Sequence, residues 1–137
     1  MTALLDTGYL YALADSDDQN HARALEVAQN IREDLILPVT VLPEICYLLQ
    51  SRLGHNVMRR FVRQLAANDA LLESLQKADL PRLNELLTKY ADARLDFVDA
   101  SIAVIAERRN VRRILTVDRR AFAMLRPVHC EAFEILP

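Results

Sequence analysis

Five acidic residues of this chain stand where carboxylates are seldom left alone. Asp6 closes the apolar stretch "TALLD" and Asp118 closes "ILTVD". Asp96 and Asp99 open "DFVDASIAVIAER", and Glu44 follows Pro43 at the start of an apolar helical segment. Residues three apart in a helix share one face, so Asp96 and Asp99 are neighbours. In an open parallel sheet, ligands gather outside the carboxyl ends of the strands. Acids placed after strands and at helix starts can all converge there. Packed carboxylates repel one another and are costly to desolvate unless a cation sits among them. Oxygen donors without His or Cys favour Mg²⁺ or Mn²⁺ over Zn²⁺, and such ions also bind phosphate oxygens. The chemistry this suits is metal-assisted hydrolysis of a phosphodiester. Each acid also has a plain structural reading. Asp96 can be a helix N-cap, Asp99 a first-turn acid favoured by the helix dipole, Asp118 the cap of "RRAFAML", and Glu44 a solvated helix acid. Asp6, directly after a buried strand, is the hardest to explain in that way.

The elements that must position these acids follow from hydrophobic periodicity. "ALLD" (3–6) reads as a strand, with "TGYLYALA" opening a helix after Thr7 and Gly8 begin the turn into it. "HARALEVAQNIRE" (21–33) is helical, and "DLILP" (34–38) is a strand stopped by proline. A helix over 39–54 carries Pro43 in its first turn and Gly54 as its stop. Further helices are expected over 56–68, 78–92 and 96–110, with a short one over 119–125. Strands are expected over 70–75, 112–118 and 132–136. Strands separated by helices imply parallel pairing with right-handed crossovers. The expected fold is therefore α/β, with a central parallel sheet between helical layers, in a single domain spanning 1–137.

Bulk properties narrow the function classes. Apolar residues make up 52% of the 137, with only 2 Gly and 5 Pro, which fits a helix-rich globular chain. The spelling Asp-Thr-Gly also occurs in aspartic proteases, but those are glycine-rich β folds and this pattern is helical. A phosphoacceptor receiver would need an acidic pair at the first strand and a lysine after the last. Asp6 is followed by Thr7 and Gly8, and no lysine follows Lys89. No basic leader precedes the first strand and no apolar run approaches the roughly 18 residues of a membrane span, so a cytoplasmic location is expected. Cys46 and Cys130 read as reduced core thiols. The lone histidines His21, His55 and His129 read as structural.

The quoted segments "LLDTGYLYALAD", "LPEICYLLQSRLG", "YADARLDFVDASIAVIAERRNVRRILTVDRRAF" and the closing "FEIL" resemble the PIN-domain nucleases. Within them the chain is most similar to the small single-domain toxins of the VapC-like group. The resemblance runs nearly end to end and is carried chiefly by "DFVDASIAVIAER…ILTVDRRAF". It implies a three-layer α/β/α sandwich, and an acidic pocket that binds Mg²⁺ or Mn²⁺ and cuts RNA to leave 5′-phosphate ends. It implies Asp6, Glu44, Asp99 and Asp118 as the catalytic acids. Asp6, Asp99 and Asp118 would be metal ligands with Asp96 in support, and Thr7 and Thr116 would be small hydroxyls beside them. It further implies a homodimer and a cognate antitoxin that covers the groove. The alternative is a catalytically idle PIN-like module that binds RNA or protein.

Charge is uneven along the chain, although it totals only −2. From Arg108 to Arg126 seven arginines face a single acid, Asp118, and Ser51 to Arg63 adds four arginines with no acid. A local positive field of this kind is what phosphate binding needs. Arg119 and Arg120, directly after Asp118, are the expected RNA-binding residues. Most of the aromatics read as core, so base recognition is not visible in the sequence.

Overall fold

A computed structural model describes residues 1–137. Five strands form one all-parallel sheet in the order β3-β2-β1-β4-β5. They are β1 (Thr2–Leu5), β2 (Asp34–Pro38), β3 (Leu71–Glu73), β4 (Arg113–Leu115) and β5 (Glu134–Leu136). The helices between them are α1 (Thr7–Ala14), α2 (His21–Asn30), α3 (Val41–Leu53), α4 (His55–Ala67), α5 (Leu80–Lys89), α6 (Phe97–Arg109) and α7 (Arg119–Met124). Strand β1 lies at the centre, where Leu4 is in register with Ile36 of β2 on one side and Ile114 of β4 on the other. Helix α1 packs on both α2 and α3, α3 packs on α4, and α5 packs on α6. Right-handed crossovers place the two groups on opposite faces of the sheet. The expected three-layer α/β/α architecture is what the chain adopts.

The most telling element is α6. Every residue from Asp99 to Ala106 is buried, so this helix is apolar all round rather than amphipathic. A helix of that kind belongs in the interior. Its buried stretch begins with an acid, which fixes that acid deep in the structure. Asp96 is the N-cap, accepting from the Asp99 backbone N–H at 2.8 Å, and Asn110 ends the helix in the left-handed conformation.

Several boundaries differ from the sequence reading. Strand β1 ends at Leu5, and Asp6 is the N-cap of α1, which starts at Thr7 with no intervening turn. Strand β4 ends at Leu115, so Asp118 does not close it and instead caps α7, accepting from Ala121 N–H at 3.2 Å. Helix α2 stops at Asn30, and β3 and β5 have three residues each. The segment expected as one helix over 78–92 divides into a 3₁₀ turn, Lys77–Asp79, and α5. Asp79 ends that turn because its carboxylate accepts the Gln76 N–H at 2.8 Å and binds Arg108. Cys46 is half-buried against the core, whereas Cys130 lies on the loop before β5 and outside the core cluster; both are free. His21 and His129 each hydrogen-bond a backbone carbonyl, of Ala12 and Val111, and so hold loops in place.

Gly8, in the first turn of α1, has a packing reason. A Cβ built on it would lie 2.7 Å from Val117 Cγ2. The missing side chain lets α1 approach the segment that leads from β4 to α7, which draws the Asp6 and Asp118 regions together. Gly8→Ala therefore costs stability although alanine is the better helix former by about 1 kcal/mol. The loss expected in denaturant melts is about 1–3 kcal/mol. Val117→Ala combined with Gly8→Ala should recover part of it, a coupling that a double-mutant cycle measures.

Candidate active site

The order of the strands creates the place for a site. From β1 the chain moves toward β2, and from β4 it moves the other way toward β5. The switch point therefore lies between β1 and β4, and crevices outside the carboxyl ends of strands form at such points. Asp6 emerges from β1 on one side of it, and Thr116 and Asp118 emerge from β4 on the other. Across the gap the Thr116 hydroxyl donates to Asp6 Oδ2 at 2.7 Å, while Thr7 N–H donates to Asp6 Oδ1 at 2.8 Å. Thr116 Oγ1 in turn accepts the Asp118 N–H at 2.9 Å. One buried threonine thus orients Asp6 and shapes the turn that carries Asp118.

Glu44 and the α6 acids reach the same region through helix starts. Helix α3 begins just beyond β2 with Thr40, whose hydroxyl meets that of Ser101 on α6 at 2.7 Å. Ser101 is fully buried and also donates to Val98 O at 2.7 Å. This hydroxyl clamp between the first turns of α3 and α6 has no counterpart in the sequence reading. The alcohol side chains at 40 and 101 are unremarkable until the fold makes them neighbours.

The electrostatics show that the five acids form one group. Asp6 is 5% exposed and its carboxyl is pushed up to about 6, first by burial. The bonds from Thr116 and Thr7 hold it down, and the charges of Glu44 and Asp118 raise it further. Asp99, 9% exposed, rises to about 8, again first by burial and then through Asp6, Asp96, Asp118 and Glu44. Acids far apart in sequence feel one another because they share one hollow. Asp96, Asp118 and Glu44 lie at its exposed rim, with Asp6 and Asp99 in its floor.

No arginine, lysine or histidine forms an ion pair with any of the five. Elsewhere the chain pairs its sequestered acids. Glu73 and Asp79 hold Arg108 at 2.7 and 3.1 Å, Glu107 holds Arg82 at 2.9 Å, and Glu33 holds Arg113. These pairs also reduce the arginine-rich stretch, because Arg108, Arg109 and Arg113 are engaged with carboxylates. Arg112, Arg119, Arg120 and Arg126 remain exposed without an acidic partner, and Arg119 also donates to the Pro137 carbonyl.

The donor set fits a hard divalent cation. All five donors are carboxylates, and the buried Thr7 Oγ1 has no hydrogen-bond partner. No three His, Cys, Asp or Glu side chains close into a ready-made ligand cage. Mg²⁺ does not need one, since it keeps several waters and takes one or two carboxylates. Asp6 and Asp99 would hold the ion from the floor, with Asp118 and Asp96 alongside. The dipoles of α1, α3, α6 and α7 all direct their positive ends to this side of the sheet, which favours negative charge there.

The PIN domain family model matches residues 3–126. The chain belongs to the PIN domain family. It is 32% identical over 134 residues to Ribonuclease VapC26 of Mycobacterium tuberculosis (strain ATCC 25618 / H37Rv), covering 98% of this chain and 99% of that protein. Among solved structures it resembles VapC20 of Mycobacterium tuberculosis, described as a sarcin-ricin loop cleaving toxin. The TM-score is 0.80 at 18% identity, over 87% of this chain and 92% of that one. It also resembles VapBC2 from Rickettsia felis bound to a promoter DNA fragment, with a TM-score of 0.72 at 16% identity over 100% of both chains. Residues 3–126 of this PIN domain run from β1 to just beyond α7, and so include all five acids.

The raised carboxyls predict how the metal-free protein responds to pH. Asp99 ionises near 3.8 in the unfolded chain and only near about 8 when folded. The folded state therefore keeps a proton that the unfolded state has lost. Its contribution to stability is full below the lower value and is lost as pH rises through the upper one. In the presence of a chelator, Asp99→Asn should gain thermal stability relative to wild type progressively between those two values, by a few kcal/mol at most. Mg²⁺ should stabilise wild type more at high pH than at low pH. A flat difference between the two proteins across that range would refute the shared acidic hollow.

Proposed function

We propose that this PIN-domain protein is a divalent-cation-dependent endoribonuclease that acts in the cytoplasm as the toxin of a toxin–antitoxin pair. The observation that carries the reading is the group of five carboxylates with no cationic side chain among them, in a chain that pairs its other sequestered acids with arginine. Support comes from the relationship to Ribonuclease VapC26. Other solved structures of the same fold carry antitoxins, as their descriptions as VapBC or toxin–antitoxin complexes state.

When bound, Mg²⁺ or Mn²⁺ would activate water and offset charge on the phosphate oxygens. The chain's own residues do the rest. Asp6, held by Thr7 N–H and the Thr116 hydroxyl, presents its carboxylate in one orientation. Asp99 would contribute from the first turn of the buried helix α6. Glu44, exposed and free of any side-chain hydrogen bond, would take the proton of the attacking water. The water oxygen would bond to phosphorus while the P–O3′ bond breaks, and solvent would supply the proton to the departing O3′, leaving a 5′-phosphate and a 3′-hydroxyl. Arg119 and Arg120, next to Asp118, would meet neighbouring phosphates. A partner antitoxin protein would silence the enzyme by covering the hollow and supplying the cation it lacks, and the protein itself would act as a homodimer.

Cleavage of RNA in Mg²⁺ or Mn²⁺, followed by sequencing of the 5′ ends, tests this directly. Asp6→Asn, Asp99→Asn and Asp118→Asn should each abolish cleavage. Thr116→Val, which leaves every acid in place but releases Asp6, should lose about 10–100-fold in activity or metal affinity. Cleavage that persists with Asp6→Asn, or in chelator, would overturn the assignment.

A further inference from the structure

Of the four tyrosines and four phenylalanines, six are buried or half-buried. The two that stand in solvent are Tyr47, 71% exposed, and Phe97, 49% exposed. Both adjoin the acids. On α3, Thr40, Glu44 and Tyr47 follow one another at helical spacing along one stripe, and Thr40 is the residue clamped to Ser101 of α6. Tyr47 therefore lies one turn beyond Glu44, on the same exposed stripe of α3. Phe97 is the first residue of α6, between the cap Asp96 and the floor acid Asp99. Neither ring takes part in the aromatic or cation–π contacts of the fold, which involve Phe122, Phe133, His129, Tyr11 and Tyr90. Burying a ring of this size would be strongly favourable, and this chain buries or half-buries its other six.

We propose that Tyr47 and Phe97 are specificity-determining residues that stack on unpaired bases flanking the scissile phosphate. The inference rests on the nuclease reading of the acidic hollow. A phosphate drawn toward the floor would have its neighbouring nucleotides at the rim, on the α3 side and at the start of α6. Bases splayed out of a helix stack on aromatic rings regardless of sequence, whereas bases inside a duplex offer no free face. The two rings would therefore select RNA by the absence of pairing, with the acids indifferent to it.

The test uses the Asp6→Asn protein, which should bind without cutting, and a short single-stranded RNA carrying 2-aminopurine, whose fluorescence falls on stacking. Tyr47→Ala and Phe97→Ala in that background should each weaken binding about tenfold or more and reduce the quench. Tyr47→Phe and Phe97→Tyr should preserve both, and the same RNA annealed to its complement should bind poorly. Melting curves confirm that the variants are folded, and solution mass is measured for each. Unchanged affinity and quench in both alanine variants would overturn the inference, as would a change in oligomeric state showing that the rings belong to a protein contact. The two readings fail separately. If wild type cuts and the alanine variants cut equally well, stacking is wrong and the nuclease stands. If wild type binds with full quench but never cuts, the nuclease is wrong and stacking stands. If wild type binds no RNA, both fall.

Discussion

Crowded carboxyl groups with no cationic side chain among them, at the carboxyl end of a parallel sheet, are the constraint around which this protein is built. Asp6 and Asp99 are almost wholly withdrawn from water, yet no cationic side chain answers them. Their carboxyls are held well above the ordinary range, first by burial and then by the charges of neighbouring acids. A fold tolerates such an arrangement only when the remainder is stable enough to carry the cost, or when a cation from outside removes it. The uninterrupted apolar stretch of α6 and the buried strands β1, β2 and β4 supply that stability.

Arginine is used with discrimination. Arg82, Arg108 and Arg113 tie helices and strand ends together through carboxylates away from the hollow. Arg108 alone gathers Glu73, Asp79 and the Ser74 carbonyl, and so anchors the stretch from β3 to α5 against α6. Structural ion pairing and an acidic group free of cationic side chains require opposite treatment of arginine, and the fold keeps the two apart. Hydroxyls take the structural role inside the hollow. Thr116 orients Asp6, and Thr40 with Ser101 joins α3 to α6, without adding charge.

The structural and the functional readings of the acids prove compatible. Asp6, Asp96 and Asp118 are helix N-caps by hydrogen bond, as their positions suggest. Asp96 and Asp118 each spend one oxygen on the cap, while Asp6 gives its second to Thr116. Capping brings the carboxylate to the positive end of the helix and aims it out of the first turn. A group of caps at one end of a sheet therefore points its free carboxylate oxygens in the direction that ligands would need.

The sequence alone determined the fold class and the alternation of strands and helices, and it singled out five acids that the fold brings within electrostatic reach of one another, because strand ends and helix starts leave strong local signals. It could not show that the apolar run after Asp99 would be enclosed on every side, which gives that acid its unusual ionisation. Nor could it tell which arginines would be consumed by ion pairs, since Arg108 finds its partners 29 and 35 residues away. The boundary errors at Asp6 and Asp118 share one cause. A capping acid ends an apolar stretch in the same way a strand residue does, and only the hydrogen bonds separate them. Helix α3 likewise carries apolar residues on several sides in sequence, and tertiary packing decided that Ile45 and Leu49 turn inward while Tyr47 stays in solvent. Local patterns fix which elements form. Which faces meet, and hence which charges go unanswered, depends on contacts between segments far apart in the chain.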